Sequence, residues 1–277
     1  MFLSWRIGRP FGINLFVHWT FWLLPLWVLL TFHPDASPLS LPLQLGLIFA
    51  LFSCVVLHEL GHALTARRFG IQTHRIVLTP IGGMAQFDQP IRGPWPEFCI
   101  ALAGPLVNLA LAAGFAAVLF AGSLIVPGLT EATSGVFVFL LLLMNLVMAV
   151  FNLLPAFPMD GGRVLRALLA GVVGPLRATR AAVLVGTFVA LAAGVAGLLW
   201  LHSPWALVIA AFVIWTGHAE LAALEAEERR RAAYQEEEII PTVIPVRSTA
   251  GWPSALQPVT VYIWDAQHAR WVPETKG

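Results

Sequence analysis

The stretch FSCVVLHELGHALTARRFG, residues 52 to 70, sets His58, Glu59 and His62 in a run that is otherwise almost wholly apolar until Arg67 and Arg68. A charged side chain at a bilayer centre costs about 2.5 to 3.5 kcal/mol on insertion scales, and such residues mark functional sites. These three need a common reason. On a helix, residues i and i+4 share a face, so His58 and His62 offer two imidazoles to one point, the arrangement in which paired histidines bind Zn2+. Glu59 lies beside His58 and reaches the open side of such an ion, where it would take a proton from the ion's water. One ligated metal explains all three residues, whereas side-chain packing must explain each of them separately.

The rest of the chain supports a lipid setting. Of its 277 residues, 58% are hydrophobic and 11% are charged, where a soluble domain is nearer a quarter charged; the mean hydropathy is +0.79. A net charge of +1 and a lone lysine, Lys276, exclude the electrostatic footprint of a nucleic-acid partner. Cys54 and Cys99 fall in apolar segments, where free cysteine behaves as a small hydrophobe, so no disulfide framework is expected. The N-terminal MFLSWRIGRPFG leads into an apolar stretch without a small-residue cleavage site, and that stretch is expected to remain in the mature protein.

Apolar runs long enough to cross about 30 Å of hydrocarbon occur at 15 to 32, 43 to 66, 97 to 121, 135 to 155, 181 to 201 and 204 to 219, which predicts six transmembrane helices. Arginines flank alternate ends: Arg6 and Arg9 before the first run, Arg67, Arg68, Arg75 and Arg92 after the second, Arg163, Arg166, Arg177 and Arg180 after the fourth, and Arg229 to Arg231 after the sixth. The loops HPDASPLSLP, GSLIVPGLTEATSG and LHSPW have none. Cytoplasmic loops retain Arg and Lys, so both termini are expected in the cytoplasm. His62 lies five residues from Arg67, about 7.5 Å of helix, inside the membrane but near its cytoplasmic side. The segment 72 to 96, with Pro80 and Gly82-Gly83, reads as a short membrane-associated β hairpin or re-entrant loop. The predicted fold is an all-α polytopic membrane domain over 1–220, with core spans at 43–66, 97–121 and 135–155, followed by a small cytoplasmic tail over 221–277. That tail reads as a charged helix, a Pro-rich linker and a two-stranded hairpin turning at Asp265 to Ala269.

A catalytic zinc takes a third protein ligand and keeps a position for water. FNLLPAFPMDGGRVLRALL offers Asp160 at the cytoplasmic end of the fourth span, where Pro155, Pro158 and Gly161-Gly162 break the helix. Irregular backbone at that depth is tolerated where protein or a water-filled cavity surrounds it. On these grounds Asp160 is either the third ligand or the cap of a helix beginning near Gly161. Cys54, one turn before His58, is a poorer candidate, and Gly104, Pro105 and Asn108 read as residues that let helices pack closely.

HELGH within a span, followed about a hundred residues later by Asn152, Pro155, Pro158, Asp160, Gly161 and Gly162 in the order N-x-x-P-x-x-P-x-D-G-G, resembles the site-2 protease family of intramembrane zinc metalloproteases. GRPFGINLFVHW, PIGGMAQF and AGPLVN add to the resemblance, which runs from about residue 6 to 220. It implies that His58, His62 and Asp160 bind one zinc ion per chain, that Glu59 is the general base, and that Asn152 holds the substrate or the developing oxyanion. It further implies a multi-pass protein of the bacterial cell membrane that cuts transmembrane protein substrates in regulated intramembrane proteolysis, an anti-sigma factor or a membrane-bound regulator among them. Members with six spans often carry paired nucleotide-sensing domains after the last span, and residues 221 to 277 are too few for such a pair. A transmembrane helix has its carbonyls hydrogen-bonded and must be unwound before attack; the hairpin around Arg75 to Phe87 is expected to hold the unwound segment by its edge. The alternative is a metal-ion transporter with intramembrane His and Asp along an ion path.

Overall fold

A chain this apolar must close its backbone hydrogen bonds within itself, and most of it does so in helices. The computed structural model describes residues 4–33, 39–80, 82–126, 128, 132–238, 262–265 and 270–273. Strands β1 (Ser4–Gly8) and β2 (Asn14–His18) lead through a 3-10 turn at Trp19–Trp22 into the short helix α1 (Leu23–Thr31). The long helix α2 (Leu41–Arg68) precedes strands β3 (Thr73–Thr79) and β4 (Gly82–Phe87). Helices α3 (Pro94–Ile125), α4 (Thr133–Asn152), α5 (Asp160–Val173), α6 (Pro175–Leu201) and α7 (Trp205–Glu238) follow.

Among the described residues, five helices are long and apolar enough to cross a bilayer, namely α2, α3, α4, α6 and Trp205–Ala233 of α7. Proline stands within the first two positions of α2, α3 and α6, where its missing N–H costs nothing and its fixed φ suits the helix. The expected first span, 15 to 32, is divided: Leu15 to His18 belong to β2, and the helical part, Trp19–Thr31, is shorter than the other five. The physical reason is a period-2 pattern hidden inside an apolar run. Leu15 and Val17 are buried while Asn14, Phe16 and His18 are only partly so, and a short apolar run does not distinguish strand from helix by itself.

The expected hairpin is present as β3 and β4, paired antiparallel, but it is half of a larger sheet with strand order β1-β2-β3-β4. β1 pairs antiparallel with β2, and β2 runs parallel to β3 with Leu15 opposite Ile76 and Val17 opposite Leu78. Parallel neighbours need a long crossover, which α1 and α2 supply. One face of the sheet buries Leu15, Val17, Ile76 and Leu78 against Leu60 and Ala63 of α2, with Phe21 and Phe52 closing the cluster. This packing fixes the sheet on the turns of α2 that carry His58 to His62.

Met1–Leu221 forms one compact unit and Ala222–Gly277 a second. In the second, the helix expected over 220 to 240 is the end of α7, and β5 (Tyr262–Asp265) pairs antiparallel with β6 (Arg270–Pro273). The Pro-rich linker and the hairpin's turn lie outside the described residues.

Ile76 is fully buried at the centre of the sheet's apolar face, whereas Ile7 on β1 is 58% exposed. Ile76→Ala should therefore cost about 2 to 5 kcal/mol, seen as a clear fall in thermal midpoint in detergent, while Ile7→Ala should leave the midpoint nearly unchanged.

Candidate metal centre

His58 and His62 project from one face of α2, and both are buried. Their Nε2 atoms are 3.1 Å apart. Asp160 Oδ2 lies 3.3 Å from His58 Nε2 and 3.2 Å from His62 Nε2. Each ring's other nitrogen is held from behind: His58 Nδ1 is 3.0 Å from Asn108 Oδ1, and His62 Nδ1 is 2.6 Å from the Ile100 carbonyl oxygen. Both partners are acceptors, so each Nδ1 donates its proton and both Nε2 lone pairs turn inward.

The result is three electron-pair donors facing one point among apolar helices. Lone pair to lone pair they repel one another unless a proton or a metal cation lies between them. A tetrahedral ion with bonds of about 2.0 to 2.1 Å spaces its ligand atoms about 3.3 to 3.4 Å apart, and the three separations here are 3.1, 3.2 and 3.3 Å. Two imidazoles and a carboxylate are a donor set that suits zinc and leaves a fourth position open. Asn108 and Ile100 supply the outer hydrogen bonds that fix ring orientation in such sites. Among the described residues, His58, His62 and Asp160 form the grouping able to hold a metal ion.

The backbone between α4 and α5 explains how Asp160 arrives. After Asn152 the chain turns irregularly through Leu153 to Met159 and re-enters a helix at Asp160, with Met159 as the N-cap residue. Asp160 thus occupies the first helical position, where the helix dipole favours a carboxylate. Gly161 and Gly162 are expected to break the helix, yet both lie in the first turn of α5. Their role is close approach. A Cβ at Gly161 would overlap the Leu153 and Leu154 carbonyls, and one at Gly162 would sit 2.7 Å from the Ala156 carbonyl carbon. The turn is clamped from its other side by α6, where a Cβ at Gly186 would lie 2.9 Å from Ala156 Cα.

Asn108 and Gly104 contribute more to the site than helix packing. Asn108 is fully buried and bonded to His58. A Cβ at Gly104 would overlap His62 Nε2 and lie 2.7 Å from His58 Cε1. The glycine of HELGH serves the same helix contact, since a Cβ at Gly61 would stand 2.8 Å from Val107 Cγ2. The sequence signal for Asn108 is a polar side chain three residues after the Gly104-Pro105 pair inside an apolar span.

Glu59 is half-buried, with His62, His58, Asp160 and Arg163 as its electrostatic neighbours. β4 presses on it directly: a Cβ at Gly83 would be 2.8 Å from Glu59 Cδ and 2.9 Å from Oε1. Asn152 ends α4, is partly exposed, and is separated from Asp160 by the irregular turn. One to two turns after Asp160, Arg166 of α5 binds Glu97 of α3 and Glu220 of α7. Burial works against its charge, but Glu97 and then Glu220 raise its pKa above the ordinary guanidinium value.

Comparison with known proteins places this geometry. The sequence pattern described as peptidase family M50 matches residues 46–134 and 126–193. A protein of Synechocystis sp. that carries a zinc metalloprotease name is 34% identical over 261 residues, covering 87% of this chain and 66% of its own length. A zinc metalloprotease of Methanocaldococcus jannaschii is 38% identical over 184 residues, covering 65% of this chain and 51% of its own. The chain thus spans between half and two thirds of the length of these curated relatives. The solved structure of the site-2 protease from Methanocaldococcus jannaschii superposes with a TM-score of 0.54 at 33% identity, covering 79% of this chain and 95% of that one.

The two glycine contacts separate metal binding from base placement. Gly104→Val should abolish zinc retention, because the new side chain occupies space held by both imidazoles. Gly83→Val should retain zinc and displace Glu59; if Glu59 is the general base, peptide hydrolysis should fall by about 100-fold or more. Metal analysis together with a cleavage assay of the purified variants checks both outcomes.

Proposed function

Because the chain belongs to peptidase family M50, we propose that it is an intramembrane zinc endopeptidase, with His58, His62 and Asp160 holding one zinc ion and Glu59 acting as general base. The observation that carries this reading is the convergence of His58 Nε2, His62 Nε2 and Asp160 Oδ2 within about a hydrogen-bond length of each other beside a mobile-proton group. Zinc, when bound, supplies Lewis acidity and lowers the pKa of water at its open position. Glu59 takes the proton from the attacking water and delivers it to the leaving amine. Asn108 and the Ile100 carbonyl keep both imidazoles in the tautomer whose Nε2 faces inward. Gly83 limits where the Glu59 carboxylate can swing.

The substrate is a transmembrane segment of another membrane protein, cut after local unwinding, with an anti-sigma factor or membrane-bound regulator as the expected class. We place the unwound segment along β4. β4 ends the sheet, so one edge of it is unpaired by any other strand of that sheet, and Gly83 upon it touches Glu59. Ile76 and Leu78, by contrast, lie on the interior strand β3, where proline would damage the fold instead of probing the edge. Asn152, at the end of α4, is assigned to a substrate backbone group or the developing oxyanion.

The chain is an integral membrane protein, with five apolar helices of spanning length among the described residues. The arginine distribution supports both termini in the cytoplasm and the site near the cytoplasmic side of a bacterial cell membrane. A tail domain over 221–277 after a protease domain over 1–220 agrees with the change from apolar to charged sequence. A transporter would need a succession of polar stations across the bilayer; among the described residues the metal-capable grouping is a single one.

Glu59→Gln is the direct test. It should leave zinc content at the wild-type value and lower cleavage by about 100-fold or more, read as uncut membrane-protein stubs that accumulate in cells carrying the variant. An unchanged stub pattern with full zinc content would contradict the assignment. Proline substitutions at Met84 and Ala85 test the edge: in a strand, consecutive N–H groups point to opposite sides, so one of the two should impair cleavage with the fold retained.

A further inference from the structure

Arg166 stands outside the metal centre yet touches both of the elements that close it. Its Nε lies 2.7 Å from Glu97 Oε1, its Nη2 also contacts that oxygen, and its Nη1 lies 2.8 Å from Glu220 Oε1. The guanidinium carbon is 5.2 Å from the centre of the Phe157 ring, within the range of a cation–π contact. The Arg166 and Glu97 side chains are 19% and 14% exposed, so the pair is largely desolvated and loss of one partner strands the other's charge.

The sequence positions of the partners give the cluster its meaning. Arg166 is on the helix that Asp160 begins, and Phe157 is three residues before Asp160 on the turn that delivers it. Glu97 is in the first turn of α3, three residues before Ile100, whose carbonyl accepts from His62 Nδ1. The guanidinium therefore joins the carrier of the carboxylate to the carrier of a histidine's orienting group.

We propose that Arg166 is a positioning residue for the metal centre, which through Glu97 fixes α5 and its Asp160 against the turn of α3 that orients His62. Phe157 lies under the guanidinium, so the turn before Asp160 is tied to the same cluster. Glu220 extends the tie to α7. An isolated exposed ion pair has little such influence; this one is mostly buried, shared by two carboxylates and joined to the segments on both sides of the donor triangle.

The inference rests on the proposed zinc site, and its test distinguishes the two. Purified full-length protein in detergent is titrated with zinc against a competing chelator, and the cobalt-substituted form is examined by its visible spectrum, which reports ligand geometry. Arg166→Met should weaken zinc binding by about 10- to 100-fold, as loss of outer-shell support does, and should alter the cobalt bands. Arg166→Lys should recover part of both, and Arg177→Gln, which removes an exposed positive charge at the start of α6, should leave both at wild-type values. A folded Arg166→Met protein with wild-type zinc affinity and an unchanged cobalt spectrum overturns the proposal. Should Arg166→Met not yield folded protein, Glu97→Gln keeps the side-chain volume and the Arg166–Glu220 pair and carries the same expected and contradicting results. Wild-type protein that binds no zinc overturns the metal site itself.

Discussion

Three electron-pair donors aimed at one point inside a bundle of apolar helices are the constraint on which the structure depends. His58 Nε2, His62 Nε2 and Asp160 Oδ2 stand 3.1 to 3.3 Å apart, and the acceptors behind the rings fix both imidazoles and strengthen their inward nitrogens as donors to a cation. Buried charge is tolerated when paired or bound to a metal. The cation proposed for this site would make the cluster both tolerable in lipid and reactive, which would give stability and chemistry a single cause.

Bringing three elements to that point demands close backbone approach, and glycine appears where the approach is closest. Gly61 admits α3 to the face of α2, Gly104 clears the imidazoles, and Gly161 with Gly162 lets α5 start against the turn that precedes it. Gly186 admits that turn to α6, and Gly83 brings β4 onto Glu59. In membranes small residues at helix contacts permit close packing; in this chain several of those contacts are also walls of the site. The sheet adds a second requirement. Its buried face rests on α2, so the strand with an edge free of sheet partners and the proposed base are held in a fixed relation.

Much of this was legible in the sequence, for reasons that differ by residue. His58, Glu59 and His62 stand out because charge in an apolar run is costly, and the i, i+4 spacing tells which side chains share a face. Depth and broken backbone mark Asp160 as either ligand or cap, and its place beside the two imidazoles is a tertiary fact that no local pattern carries. Asn108 passed as a packing residue because a single amide in a span has two readings, and the choice depends on α2 lying opposite. The strand β2 hides within an expected span because its buried face, Leu15 and Val17, and its neighbours Phe16 and Trp19 are all apolar; its pairing with β1 and β3 reveals it. Arg166 looked like one more arginine of a cytoplasmic loop, and its two carboxylate partners come from helices distant in sequence.

Zinc-edge X-ray absorption on the purified full-length protein tests the central claim most directly, since it reports the ligand atoms themselves. The expected result is one zinc per chain coordinated by two imidazole nitrogens and otherwise by oxygen, at about 2.0 to 2.1 Å. Absence of bound zinc, fewer than two imidazoles, or a sulfur ligand, for which the buried Cys54 one turn from His58 is the nearest source in sequence, would contradict it.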